Sequence, residues 1–135
     1  MAASGGCACG AIRYECSAEP MFSAHCYCRD CQRASGAAMA TVIGVPKTAI
    51  KILKGEPRYY EVTADSGKKI RRGFCANCGS PLFTLLEAMP DAMGIRAASL
   101  DDSSGFRPGM SIWTSSAPAW APIVEHLPNF PKMPG

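Results

Sequence analysis

Three cysteines crowd into six positions of "HCYCRDCQRASG", residues 25–36: Cys26, Cys28 and Cys31. Two further pairs are as tight, "CAC" at Cys7 and Cys9 and "CANC" at Cys75 and Cys78. Thiols at such short gaps converge on a tetrahedral ion with metal–sulfur bonds of about 2.3 Å. Disulfide frameworks more often spread their cysteines along a chain, and in a reducing compartment clustered thiols point to metal. Zinc is the expected ion, two per chain.

"FCANCGSPLF" reads as a zinc knuckle, in which backbone N–H groups turn toward the sulfurs and Gly79 permits the bend. It needs two more ligands, and Cys7 with Cys9 or Cys28 with Cys31 would serve. Spacing alone does not choose between them. Either way the result is a closed four-thiolate site contributing on the order of 10 kcal/mol or more to folding. If Cys7 and Cys9 are used, Cys26, Cys28 and Cys31 remain with no evident fourth partner. Three protein ligands and one open position is the form of a reactive zinc. If Cys28 and Cys31 are used, the remainder is the looser set Cys7, Cys9 and Cys26.

A zinc ion held by three thiolates favours the thiolate form of an incoming thiol. Presented to a small aldehyde, that sulfur can add to the carbonyl carbon and give a hemithioacetal. The other chemistry open to such an ion is polarising a carbonyl as a Lewis acid. The gathering negative charge calls for nearby cations. Arg29 and Arg33 flank the cysteine trio, and Arg33 suits a substrate carboxylate. Arg71 and Arg72 are expected to be solvated surface charges.

Other chemistry-bearing residues have plainer expectations. Cys16 shares an apolar strand face with Ile12 and Tyr14 and is expected to be a buried thiol. His25 points away from Cys26 if the stretch is extended. Asp30 is placed to accept from backbone N–H groups of the knuckle. His126 is expected at the surface. Trp113, Trp120 and Phe130 either wall a pocket or anchor the closing segment.

The elements that must position these groups read as strands. "AIRYEC" alternates, and "AMATVIGV" is a buried strand stopped by Pro46. "AIKILKG" and "RYYEVT" are separated by the turn "GEP", and "ADSG" joins "YYEVT" to "KKIRRGF" as a hairpin. "PLFTLL", "MGIRAASL" and "MSIWTSS" complete a mainly antiparallel set, with short helical turns after Cys28 and near Pro46. The closing segment "PAWAPIVEHLPNFPKMPG" is expected to be irregular.

A chain of 135 residues, 47% hydrophobic and 19% charged, suits a single domain over 1–135. Its longest apolar run is too short to span a bilayer. "MAASGG" has neither a basic nor an apolar segment, so no leader and a cytoplasmic location are expected. The formal charge of +3 falls to zero once seven thiolates on two zinc ions are counted. Nucleic-acid binding thereby loses its electrostatic support.

"GGCACGAIRYE", "HCYCRDCQRASGA", "RGFCANCGSPLF", "GIRAASLDD" and "SIWTSSAPAW", in that order, resemble the glutathione-dependent formaldehyde-activating enzyme family, which includes centromere protein V. The resemblance covers nearly the whole chain. It implies a β-tent fold of antiparallel sheets with zinc knuckles, similar to methionine-R-sulfoxide reductase B. It implies a structural zinc on Cys7, Cys9, Cys75 and Cys78, and a catalytic zinc on Cys26, Cys28 and Cys31. It also implies carbon–sulfur lyase activity, joining glutathione and formaldehyde into S-(hydroxymethyl)glutathione, and a basic residue at Arg33. Ser111 stands where the family commonly has His. The competing readings are a non-catalytic zinc module for protein interaction and a redox-responsive zinc–thiolate protein.

Overall fold

Period-two alternation becomes strand structure in a computed structural model that describes residues 3–134. Met1 and Ala2, which open the stretch read for a leader, and Gly135, which ends the closing segment, lie outside the described residues. The first half runs β1 (Ala3–Gly6), β2 (Arg13–Cys16), β3 (Phe22–Cys26), helix α1 (Arg29–Ser35), β4 (Ala40–Pro46) and β5 (Ile50–Lys54). The second runs β6 (Arg58–Thr63), β7 (Lys69–Phe74), β8 (Pro81–Leu86), β9 (Ala92–Arg96) and β10 (Met110–Ile112). The molecule is mainly β, as expected, and α1 is the α-helix among the described residues.

Two sheets form. The smaller has the order β1-β2-β5, and the larger β10-β3-β4-β9-β8-β7-β6. Pairing is antiparallel throughout except for β10, which lies parallel to β3. The "GEP" turn does more than reverse the chain. It carries the backbone out of the small sheet at β5 and into the edge of the large one at β6. The "ADSG" hairpin forms as expected, closed by the Ala64 N–H donating to the Lys68 carbonyl at 2.8 Å.

The core lies between the sheets. Tyr14 and Cys16 from β2 meet Ile43 and Val45 from β4, Leu82 and Phe83 from β8, and Ile95 from β9. The Tyr14 and Phe83 rings meet edge-on with centroids 4.9 Å apart. Each large side chain fully withdrawn from water contributes about 1.5–3 kcal/mol. The Tyr14 hydroxyl also bonds Ser99 at 2.6 Å, just beyond β9. Packing thus joins the sheets, and this partly buried hydrogen bond adds to it.

The closing segment is irregular but held down. Ser111 donates to the Pro128 carbonyl and Trp113 to that of Lys132, while Phe130 donates back to Ser111. No helix among the described residues is long and apolar enough to cross a membrane.

Candidate metal centres and the cavity beside them

The loop after β1 carries Cys7 and Cys9, and the β7–β8 connection carries Cys75 and Cys78. Each bends at a glycine with positive φ, Gly10 at 78° and Gly79 at 79°, a backbone region costly for other residues. The Gly10 and Gly79 N–H groups close their turns onto the Cys7 and Cys75 carbonyls. The four sulfurs lie within 4.8 Å of one another. Cys7 and Cys9 sulfurs are 3.7 Å apart, Cys9 and Cys75 3.8 Å. A tetrahedron with metal–sulfur bonds of about 2.3 Å has sulfur–sulfur edges of about 3.8 Å, so the set fits zinc.

Donors surround these sulfurs as they do around metal-bound thiolates. The Ile12 N–H reaches Cys7 at 3.2 Å and the Asn77 amide reaches Cys9 at 3.2 Å. Burial would raise the Cys7 thiol, but the Ile12 N–H and the neighbouring thiols bring it below its ordinary value. The Ser80 hydroxyl and N–H pull Cys78 down to about 5. All eight cysteines are free of disulfides.

The second set is assembled from one stretch. Cys26 ends β3, Cys28 caps the N-terminus of α1, and Cys31 sits in its first turn. Their sulfurs lie within 4.8 Å of one another, and among the described residues no fourth Cys, His, Asp or Glu joins them. The Cys31 N–H donates to the Cys28 sulfur at 3.2 Å. Between them Tyr27 is fully buried, its hydroxyl donating to the Pro122 carbonyl at 2.7 Å. Gln32, also buried, donates to the Tyr27 and Ser116 carbonyls at 2.8 and 3.1 Å. The trio's loop is therefore locked to the closing segment.

The expectation for Arg72 is corrected. It is buried, 9% exposed, and its Nη1 approaches the Cys31 sulfur at 3.6 Å. Only Arg71 is the surface charge expected, lying over the Tyr59 ring. The reason is the strand: neighbours along β7 face opposite ways, so one arginine of "RR" must point inward. Arg96, on β9, is buried too, at 4%. Sequence reasoning passed over it, although a lone arginine among Ile95, Ala97 and Ala98 was the available signal. Arg72 Nε and Arg96 Nε and Nη1 have no hydrogen-bond partner among the described residues. Orphaned guanidinium donors beside three thiols fit a centre that carries negative charge. Hydrogen bonds from Cys26 and Cys28, then the charges of Arg72 and Arg96, hold the Cys31 thiol far below its ordinary value, against burial. Cys26 is pushed up, first by the Cys28 and Cys31 thiols and then by burial.

The trio opens onto a cavity of about 460 Å³. Arg72, Ile112 and Trp113 line it near the cysteines, and Trp113 holds an uncommon positive φ of 57°. Of the other aromatics, Trp120 is 71% exposed, while the Phe130 backbone carbonyl accepts from Thr114. Arg33 is exposed in the last turn of α1. Arg29 is also exposed and bonds Gln32. His25 stays out of the trio, between the Tyr27 and Phe106 rings. Cys16 is buried as expected, and Asp30 and His126 are exposed.

A family model described as "Glutathione-dependent formaldehyde-activating enzyme" matches residues 2–116. A crystal structure of a Rhodobacter sphaeroides protein is 22% identical, with a TM-score of 0.60, covering 78% of this chain and 91% of its own. That likeness concerns the fold. No curated protein matches the chain.

Proposed function

The chain belongs to the glutathione-dependent formaldehyde-activating enzyme family, and on that premise we propose that it adds a glutathione-type thiol to a small aldehyde. The activity is that of a carbon–sulfur lyase run in either direction, as in S-(hydroxymethyl)glutathione synthesis, with the whole chain acting as one zinc-binding domain. Cys7, Cys9, Cys75 and Cys78 hold a structural zinc, and Cys26, Cys28 and Cys31 hold the catalytic one. That second ion supplies a Lewis-acidic position at which a substrate thiol is stabilised as thiolate near neutral pH.

The observation that carries this reading is three sulfurs at a cavity wall, with no fourth Cys, His, Asp or Glu beside them among the described residues and two buried arginines behind them. Three thiolates, two guanidiniums and a divalent ion leave one formal positive charge, which a single incoming thiolate cancels. The reaction then balances simply. The thiol sulfur bonds to the carbonyl carbon, the carbonyl π pair moves to oxygen, and oxygen takes the thiol proton. Tyr27 and Gln32 keep the trio rigid while this happens. Arg33, at the exposed end of α1, is proposed to meet a carboxylate of the thiol from outside. The protein is proposed to work in the cytoplasm, apart from nucleic acid and membrane.

Exchange between free glutathione and its formaldehyde adduct, followed by NMR at equilibrium, tests the reading. Zinc-loaded protein is expected to accelerate exchange at least tenfold over buffer, and a folded Cys28→Ser variant to return it to the buffer rate. Equal exchange with and without protein would dismiss the enzyme.

A further inference from the structure

A one-carbon carbonyl has two heavy atoms, and the space beside Cys26, Cys28 and Cys31 is far larger than it needs. At about 460 Å³, the cavity is in the range that encloses a drug-sized ligand. Its floor is the large sheet, from Met110 on β10 through Ala24, Val42, Gly94 and Thr84 to Ile70 on β7. At about 4.8 Å per strand, six neighbouring strands give a trough roughly 24 Å long. Alanine and glycine keep the floor low.

The chemistry of the lining is selective. Met89, Met93, Met110 and Met133 contribute to it, and methionine reshapes around apolar guests. Charge is confined to two places, Arg72 beside the trio and Asp65, Lys68 and Lys69 at the β6–β7 turn. Glutathione carries two carboxylates and an ammonium group, and burying them against methionine and alanine is costly. The peptide therefore stays at the charged margins, and the apolar stretch holds something else.

We propose that the carbonyl substrate of this site carries an extended apolar substituent, an alkyl chain of medium length or an aryl group. This substituent lies in the trough, with its carbonyl end at the cysteine trio. The proposal rests on the thiol-addition reading above and names its substrate class. The chemical step is unchanged by the substituent. The carbon–sulfur bond forms, the carbonyl π bond opens, the oxygen takes the thiol proton, and nothing is oxidised or released.

Two measurements on the zinc-loaded full chain test it. In the first, butan-1-ol to octan-1-ol are titrated into a Trp120→Phe background, leaving Trp113 of the chain's two tryptophans as the reporter. Alcohols are the probes because aldehydes would form imines with Lys68 and Lys69. Emission should change saturably, with affinity rising about fourfold per methylene. In the second, kcat/KM with glutathione is compared for formaldehyde and octanal. Octanal should exceed formaldehyde at least tenfold. Ala92→Phe, which adds a ring to the lining, and Leu86→Lys, which adds a charge, should each reduce that ratio at least tenfold. A flat alcohol series with no preference for octanal overturns the proposal, and formaldehyde turnover by the same sample would leave thiol addition standing. Chain-length-dependent binding without turnover of any aldehyde supports the apolar occupant, and thiol addition is then what fails.

Discussion

Arg72 donates to the Cys31 sulfur from a guanidinium whose Nε has no partner among the described residues. Replacing it with Met removes the nearest counter-charge from three sulfurs and keeps much of the volume. Metal affinity at the trio should fall about 10- to 100-fold, the usual loss when a group supporting metal ligands is removed. Competition with a chelator of known affinity measures this, and Arg72→Lys should recover part of it. Unchanged affinity in a destabilised Arg72→Met would assign the residue to packing alone. Both arginines of "RR" were expected at the surface, although strand neighbours alternate and one of them had to face the other way. Which one, and toward what, depends on the register of β7 against β8 and on the trio reaching it from 41 residues away. No local pattern contains that contact.

At the scale of elements, Tyr14 ties β2 to the turn after β9. Tyr14→Phe keeps the ring but loses the bond to Ser99, at a cost of about 1 kcal/mol. Burial also raises the Tyr14 phenol to about 12, with Ser99 only partly offsetting it. The unfolded chain's tyrosine ionises near pH 10, so it sheds its proton first as pH rises. Its contribution to stability is therefore complete below pH 10 and is lost between pH 10 and 12. Urea melts across that range should show a shallower decline in Tyr14→Phe than in the wild type. A second element-level test lies between β3 and β4. A Cβ at Gly44 would sit 2.2 Å from the Phe22 ring, so Gly44→Ala should destabilise by about 1–3 kcal/mol and disturb the cavity that Phe22 lines. The strands themselves were legible because alternation and turn residues are local signals. That β5 and β6, only three residues of connection apart, enter different sheets was not. The "GEP" turn marks a reversal without saying which strand waits on the other side.

The two sulfur clusters differ in how much of the molecule each one ties together. Cys7 and Cys9 leave the small sheet, Cys75 and Cys78 the large one, so an ion there cross-links distant chain segments. Cys26, Cys28 and Cys31 are neighbours, and an ion there closes only one short loop. Spacing showed three thiol knots but left two ways of pairing them, because the choice depends on which strand ends meet. The resemblance supplied a choice, and the same grouping of sulfurs appears in the structure. The difference in topology predicts a difference in consequence. A structural zinc is worth on the order of 10 kcal/mol, comparable to the whole stability of a domain this size, about 5–15 kcal/mol. Stepwise chelation should therefore remove a first equivalent with the melting temperature lowered only slightly, and a second only as the chain unfolds. Cys28→Ser should bind one zinc and remain folded, whereas Cys75→Ser should fail to fold at 37 °C even with zinc in excess. Metal analysis alongside far-ultraviolet circular dichroism reads both numbers in one sample. If the two equivalents leave together, or if both serine variants unfold alike, the small loop is as structural as the large cross-link and the division of labour between the clusters is wrong.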